Sequence, residues 1–199
     1  MNATSNSNTL PRGLLIRQLL LAAVLLGGIG LTAIGVSGLI AQGMGMLFGE
    51  SFVSGDQPGV SYTPDRCAEL LEYAPNARSC EEAATHHHFG EVVDYRVAAG
   101  VLGLLALGCW WLLRRTRRDA PPLLPAGLVA GIGAATFGLA AAGLLLLSIG
   151  LLVFGHGTGA GQYLSGGVVS LVVAAAFVVG LFRALLRRED AAGRLTGAV

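Results

Sequence analysis

The sequence predicts an all-α, polytopic membrane protein: a four-transmembrane-helix bundle with a small helical loop domain outside the cytoplasm. Three observations predict it. The first is long uncharged runs, with 53% of the 199 residues hydrophobic and 13% charged, against roughly 25% charged in a soluble domain. The second is the segregation of charge, since nine of the twelve acids fall between Glu50 and Asp94. The third is the placement of arginine at alternate ends of the runs, which orients the chain through the positive-inside rule.

Taken in order, residues 1–13 form a short polar tail, read as cytoplasmic. The first span covers 14–48. Its uncharged stretch from Gln18 to Gly49 is 32 residues, or about 48 Å of helix at about 1.5 Å per residue, against roughly 30 Å of hydrocarbon. The excess must tilt, protrude or break, and Gly43-Met44-Gly45 is the expected place for it to loosen. The run is too long for the apolar region of a signal peptide and lacks a small-x-small cleavage site, so it reads as a retained anchor.

Residues 49–95 form the polar loop outside the membrane, with short helices. Thr63-Pro64 marks a helix start, with threonine at the N-cap and proline in the first turn. Pro75-Asn76 ends that helix. Ser79 with Glu82 three residues on is the pattern of a capping box and opens a second helix. This helix is directed through the histidines towards the next span, with Gly90 a plausible break. The second span, 96–113, closes on Trp110-Trp111 and an arginine cluster in the loop 114–125, as a cytoplasmic interface selects. Pro121, Pro122 and Pro125 mark the turn. The third span covers 126–154. Residues 155–162 are too glycine-rich to sustain a helix and form a turn outside. The fourth span covers 163–182, and 183–199 is a loose, arginine-bearing cytoplasmic tail. Every connecting segment agrees with termini in the cytoplasm and a multi-pass location in the cell (plasma) membrane.

Small residues recur every fourth position, and such stripes let helix backbones approach closely in lipid. The first span carries Ala33, Ser37, Ala41 and Gly45, and the fourth carries Gly166, Ser170 and Ala174. The third carries the longest, Ala130, Ala134, Gly138 and Ala142, with Gly127 and Gly131 as a GxxxG beside it. These six residues of the third span are the candidate helix-packing set, within the bundle or with another chain.

Cys67 and Cys80 share the outside loop, and an oxidising compartment favours a disulfide between them. Cys109, near the cytoplasmic end of the second span, reads as a small apolar filler. His86-His87-His88, with Glu82, Glu91 and His156 from the other outside loop, are the candidate metal ligands, suited to zinc or copper. Against that, consecutive residues on a helix point about 100° apart, so adjacent histidines chelate poorly. The plain alternative is a solvated helix end whose imidazoles pair with carboxylates.

No catalytic set, phosphate loop or HExxH motif is present, and no ionisable side chain sits in a span core. The chain therefore reads as a non-enzymatic accessory or interaction subunit without a required cofactor. Its expected partners are the lipid bilayer and other membrane proteins, or further copies of itself. No basic patch with interleaved aromatics points to nucleic acid. The alternatives are an oligomeric passive transporter or channel, and an extracytoplasmic metal or pH sensor using the histidine cluster.

Overall fold

A computed structural model describes residues 12–55, 63–115, 126–155 and 157–196. Among them all regular structure is α-helical: α1 (Arg12–Phe48), α2 (Glu50–Ser54), α3 (Pro64–Tyr73), α4 (Cys80–Arg115), α5 (Ala126–Phe154) and α6 (Ala160–Thr196). Four of these, α1, α4, α5 and α6, are long and apolar enough to cross a membrane. The tail 1–11, the turn-forming prolines and His156 lie outside the described residues.

The long helices form two hairpin-like pairs, α1 with α4 and α5 with α6, joined where α1 lies against α6. Large apolar side chains face outwards along all four, among them Leu39, Leu104, Leu139 and Val172. A water-soluble bundle would bury such residues. Here they form a surface that suits lipid.

Glycine sets the α1–α4 seam. A Cβ added to Gly35 would lie 2.4 Å from the Cα of Gly100, and one on Gly103 would lie 2.4 Å from the backbone nitrogen of Thr32. Gly28 faces Leu107 along the same line. The backbones meet because no side chain stands between them, the small-residue route to helix association in lipid. Two hydroxyls of α1 are satisfied within the helix. Thr32 donates to the Gly28 carbonyl at 2.8 Å and Ser37 to that of Ile34 at 2.7 Å, the back-bonding available to Ser and Thr within a helix.

The α5–α6 seam mixes glycine with aromatics. Phe137 and Phe177 stack at 5.8 Å between centroids, and the Phe177 ring fills the space over Gly133. Leu144 and Leu145 cover Gly166 and Gly167. Ser148, fully buried, donates to the Ala160 carbonyl at 3.1 Å and closes the hairpin near its turn.

Three expectations are corrected. α1 does not loosen at Gly43-Met44-Gly45. It stays helical to Phe48, because the Phe89 ring of α4 lies against Gly45 and covers it, and the chain turns only at Gly49, where φ is 95°. α4 does not break at Gly90: the cap helix and the second span are one helix of 36 residues. One internal glycine costs only about 1 kcal/mol of helix propensity, and contacts on either side, at Phe89 and Val93, hold the helix across it. The last helix is longer than the span 163–182 at both ends. It starts at Ala160, inside the glycine-rich segment, after a turn with positive φ at Gly157 and Gly159, and it carries the expected tail as helix to Thr196.

One end of the bundle, the arginine end, holds Arg17, Arg114, Arg115 and Arg183. There Arg114 lies over the Trp110 ring at 5.1 Å and Arg115 over Trp111 at 5.2 Å. The other end carries a small cap. α3 rests on the start of α4 through Leu70, Ala74, Ala83 and Ala84, and the Cys67–Cys80 disulfide ties the two helices together. Pro64 occupies the first turn of α3 as expected, although the Thr63 side chain makes no capping bond. At the start of α4 the Ser79 hydroxyl accepts from the Glu82 N–H at 3.2 Å. The Glu82 carboxylate turns back to accept from the Arg78 N–H at 2.7 Å, one residue earlier than an ideal capping box.

Candidate functional site

Among the described residues three places are candidates for a functional role: the cap around the histidines, the seam where Arg96 meets α6, and the outer face of α5.

The cap is organised by α2, a five-residue helix that sequence patterning merged into the loop. Its Val53 is fully buried. Phe52 lies against Gly161 at the start of α6 and 5.3 Å from the ring of Phe48. The Ser51 carbonyl accepts from the Gly159 N–H at 3.0 Å, which fastens the α5–α6 turn to the first hairpin. From α4, His86 Nδ1 donates to both carboxylate oxygens of Glu50, at 2.7 and 2.9 Å.

The remaining histidines both stand near Glu91. The His87 ring stands edge-on to Tyr73 of α3 at 5.3 Å, and its Nδ1 is 4.0 Å from Glu91. His88 lies at the same distance from Glu91. Glu82 is occupied at the helix start. The candidate ligands are thus spread over three contacts, and no group of three His, Cys, Asp or Glu side chains converges among the described residues. Beside them an open cleft of about 450 Å³ is lined by Glu50, Ser51, Ser79, Glu81, Glu82 and Thr85. Its lining side chains are acidic or hydroxyl-bearing, without the hydrophobic and aromatic residues that line most organic-ligand sites.

Arg96 stood in the sequence only as the first residue of a span. In the structure its side chain turns inwards, partly buried, and crosses from α4 to α6. Nη1 donates to Ser165 Oγ at 3.3 Å and to the Gln162 carbonyl at 3.5 Å, while the fully buried Ser165 hydroxyl itself donates to that carbonyl at 3.0 Å. Glycine makes the crossing possible, since a Cβ on Gly38 of α1 would lie 2.7 Å from the Cβ of Arg96. No carboxylate lies within ion-pair distance of this guanidinium among the described residues.

The α5 stripe splits. α5 meets α6 through Gly133, Phe137, Ala141, Leu144, Leu145 and Ser148. Ala134, Gly138 and Ala142 stand one residue further on than three of these, hence about 100° around the helix. A Cβ added to Gly127 would meet Leu181 of α6 at 3.6 Å, whereas Gly131 and Gly138 have no neighbouring atom within 4 Å of an added Cβ, and Ala142 is exposed. Ala130 and Ala134 are partly exposed. The stripes of α1 and α6 differ: Ala33, Ser37, Ala41 and Gly45, and likewise Ser170 and Ala174, are buried in the molecule. The glycine pair Gly100 and Gly103 of α4 was missed, because its i,i+3 spacing lies outside the every-fourth-residue pattern. Cys109 is exposed on the side of α4 and fills no interior gap.

Comparison with protein-family models, with curated proteins and with solved structures finds no match.

Proposed function

We propose that this chain is a non-enzymatic, multi-pass protein of the plasma membrane that works by contact, as an accessory or interaction subunit. Both termini lie in the cytoplasm and the disulfide-stapled acidic cap lies outside. The observation that carries the reading is the division of α5. One face is used up against α6, while Gly131, Gly138 and Ala142 stand open beside it. In lipid a small-residue face gains association energy only when another helix closes on it, since lipid supplies no hydrophobic driving force between helices. The cap supports the same reading. It is rigidly continuous with α4, pinned by a disulfide and by the α2 contacts, and presents charge on a fixed frame.

The test is site-specific photocrosslinking in the native membrane from three positions of α5. A photoreactive residue at Gly138 or Ala142 is expected to give adducts of one defined mass with a different membrane protein, and adducts with a second copy of this chain would count against the reading. The same residue at Ala141, which is 1% exposed and faces α6, is expected to give internal products. Lipid adducts alone from Gly138 and Ala142 would remove the contact reading.

A further inference from the structure

We propose that Arg96, at the seam of α4 and α6, binds the phosphate group of a glycerophospholipid. The first argument is depth. Arg96 stands eighteen residues from Arg114 along α4, Ser165 stands eighteen from Arg183 along α6, and Gly38 stands twenty-one from Arg17 along α1. At about 1.5 Å per residue these are separations of about 27, 27 and 32 Å, the hydrocarbon thickness of a bilayer. Three helices thus place Arg96 at the headgroup level opposite the arginine end.

Aromatic residues mark both levels. Tyr95 and Tyr163 lie beside the Arg96 contact, and Tyr95 is exposed. Trp110 and Trp111 lie under Arg114 and Arg115 at the other end. Tyr and Trp concentrate at the two membrane interfaces.

The second argument is chemistry. A guanidinium offers five N–H donors in a planar fork that matches carboxylate or phosphate oxygens. Arg96 uses one nitrogen, on two bonds longer than the common range of about 2.7–3.2 Å. Its charge has no carboxylate partner among the described residues. A positive group held at this depth between helices calls for an anion, and the oxyanion present at that level is the lipid phosphate.

The third argument is access. α4 and α6 both lie on α1 yet hardly touch each other, so the Arg96 bridge spans a seam between helices. Val168 and Val172, which follow Ser165 down nearly the same face of α6 towards the arginine end, are exposed and offer a surface for acyl chains. The stem of Arg96, seated against Gly38, fixes where the guanidinium stands.

The inference rests on the four helices crossing a bilayer. It does not depend on the contact role or on which end faces the cytoplasm.

The test is native mass spectrometry of the purified, delipidated chain in a mild detergent, titrated separately with dioleoylphosphatidylglycerol and with dioleoylglycerol, which has the same chains without the phosphate. The expected result is a phosphatidylglycerol adduct that survives activation and no comparable dioleoylglycerol adduct. Arg96→Gln is expected to reduce the adduct at least fivefold, while Arg114→Gln with Arg115→Gln retains at least one. Equal retention of the two lipids, or equal phosphatidylglycerol retention by Arg96→Gln and wild type, overturns the proposal. So does displacement of the lipid by millimolar inorganic phosphate, which would assign the site to a soluble anion. If Arg96→Gln does not fold, the comparison of the two lipids on the wild-type chain and on the Arg114→Gln, Arg115→Gln chain still tests the proposal, since loss of the phosphatidylglycerol adduct in that double variant would overturn it. A chain that still forms a complex through α5 while failing these tests would lose the lipid site and keep its contact role.

Discussion

The replacement Gly35→Ala tests the glycine seam that joins the first hairpin. The new methyl carbon would stand 2.4 Å from Gly100 Cα and 3.0 Å from its nitrogen, both backbone atoms that cannot rotate aside. Carbon atoms in contact rest about 3.5–4.0 Å apart, so the helices must separate by somewhat more than about 1 Å. They move as rods. The separation therefore also thins the contacts of Gly103 with Thr32 and of Gly28 with Leu107. Overpacking of this kind costs about 1–3 kcal/mol.

The same change has an opposing benefit, because alanine exceeds glycine in helix propensity by about 0.5–1 kcal/mol. Gly43 and Gly90 provide the controls: both are helical, and an added Cβ meets nothing within 4 Å. Gly43→Ala and Gly90→Ala are expected to stabilise by that propensity term, and Gly35→Ala to destabilise by about 1–2 kcal/mol net. For a chain of this size 1 kcal/mol moves Tm by about 2–4 °C, so Gly35→Ala should melt several degrees below either control. The assay is the loss of the monodisperse peak in size-exclusion chromatography after heating in detergent. A Gly35→Ala protein as stable as Gly43→Ala would refute the close approach of α1 and α4.

Further outcomes follow from other contacts. Alkylation without reduction should add one label, at Cys109, and three after reduction. Replacing Cys67 and Cys80 with serine should loosen the cap by about 3 kcal/mol in the loop-entropy treatment, read as faster proteolysis between α3 and α4. Two further labels before reduction would contradict the bond. Phe52→Ala removes the ring lying on Gly161, with an expected loss of about 1–2 kcal/mol for this half-buried phenylalanine, less than the full core value. Hydrogen exchange at the Gly159 amide, bonded to Ser51, should quicken, and unchanged exchange would show that α2 does not fasten the turn. Glu50→Ala removes an exposed pair with His86 and should cost less than about 1 kcal/mol; a larger loss in the same melting assay would mean that this pair, not Phe52 and Val53, holds α2. In a Cys109→Ala background, a cysteine at Glu72 should react with an impermeant reagent on intact cells, and one at Arg115 only after permeabilisation. The opposite pattern would invert the proposed topology.

The four long helices were legible because their signal is additive. Each uncharged run sums the apolar character of many residues, and no single misjudged residue removes it. The Cys67–Cys80 bond was legible because two cysteines in one short segment leave few alternatives. Breaks were overestimated at Gly43 and Gly90, since a glycine weakens a helix locally while its fate depends on what covers it. Phe89 comes from 44 residues away to cover Gly45, and nothing in the local sequence announces that. α2 was hidden because five residues are too few to show a period. Arg96 was hidden for a different reason. A charged residue at a span boundary resembles any other boundary residue until the neighbouring helices fix its direction, and the glycine at position 38 that admits its stem lies on another helix. The stripes show the same limit. Spacing identified small faces on α1, α5 and α6, but only the three-dimensional arrangement separates those used within the molecule from the one left open on α5.

The measurement that bears most directly on the contact role is native mass spectrometry of the wild-type chain extracted from its own membranes in a mild detergent. The account predicts a complex with another membrane protein at fixed stoichiometry, lost when Gly138 and Ala142 are both replaced by leucine. A clean monomer or homo-oligomer of the wild-type chain would contradict it.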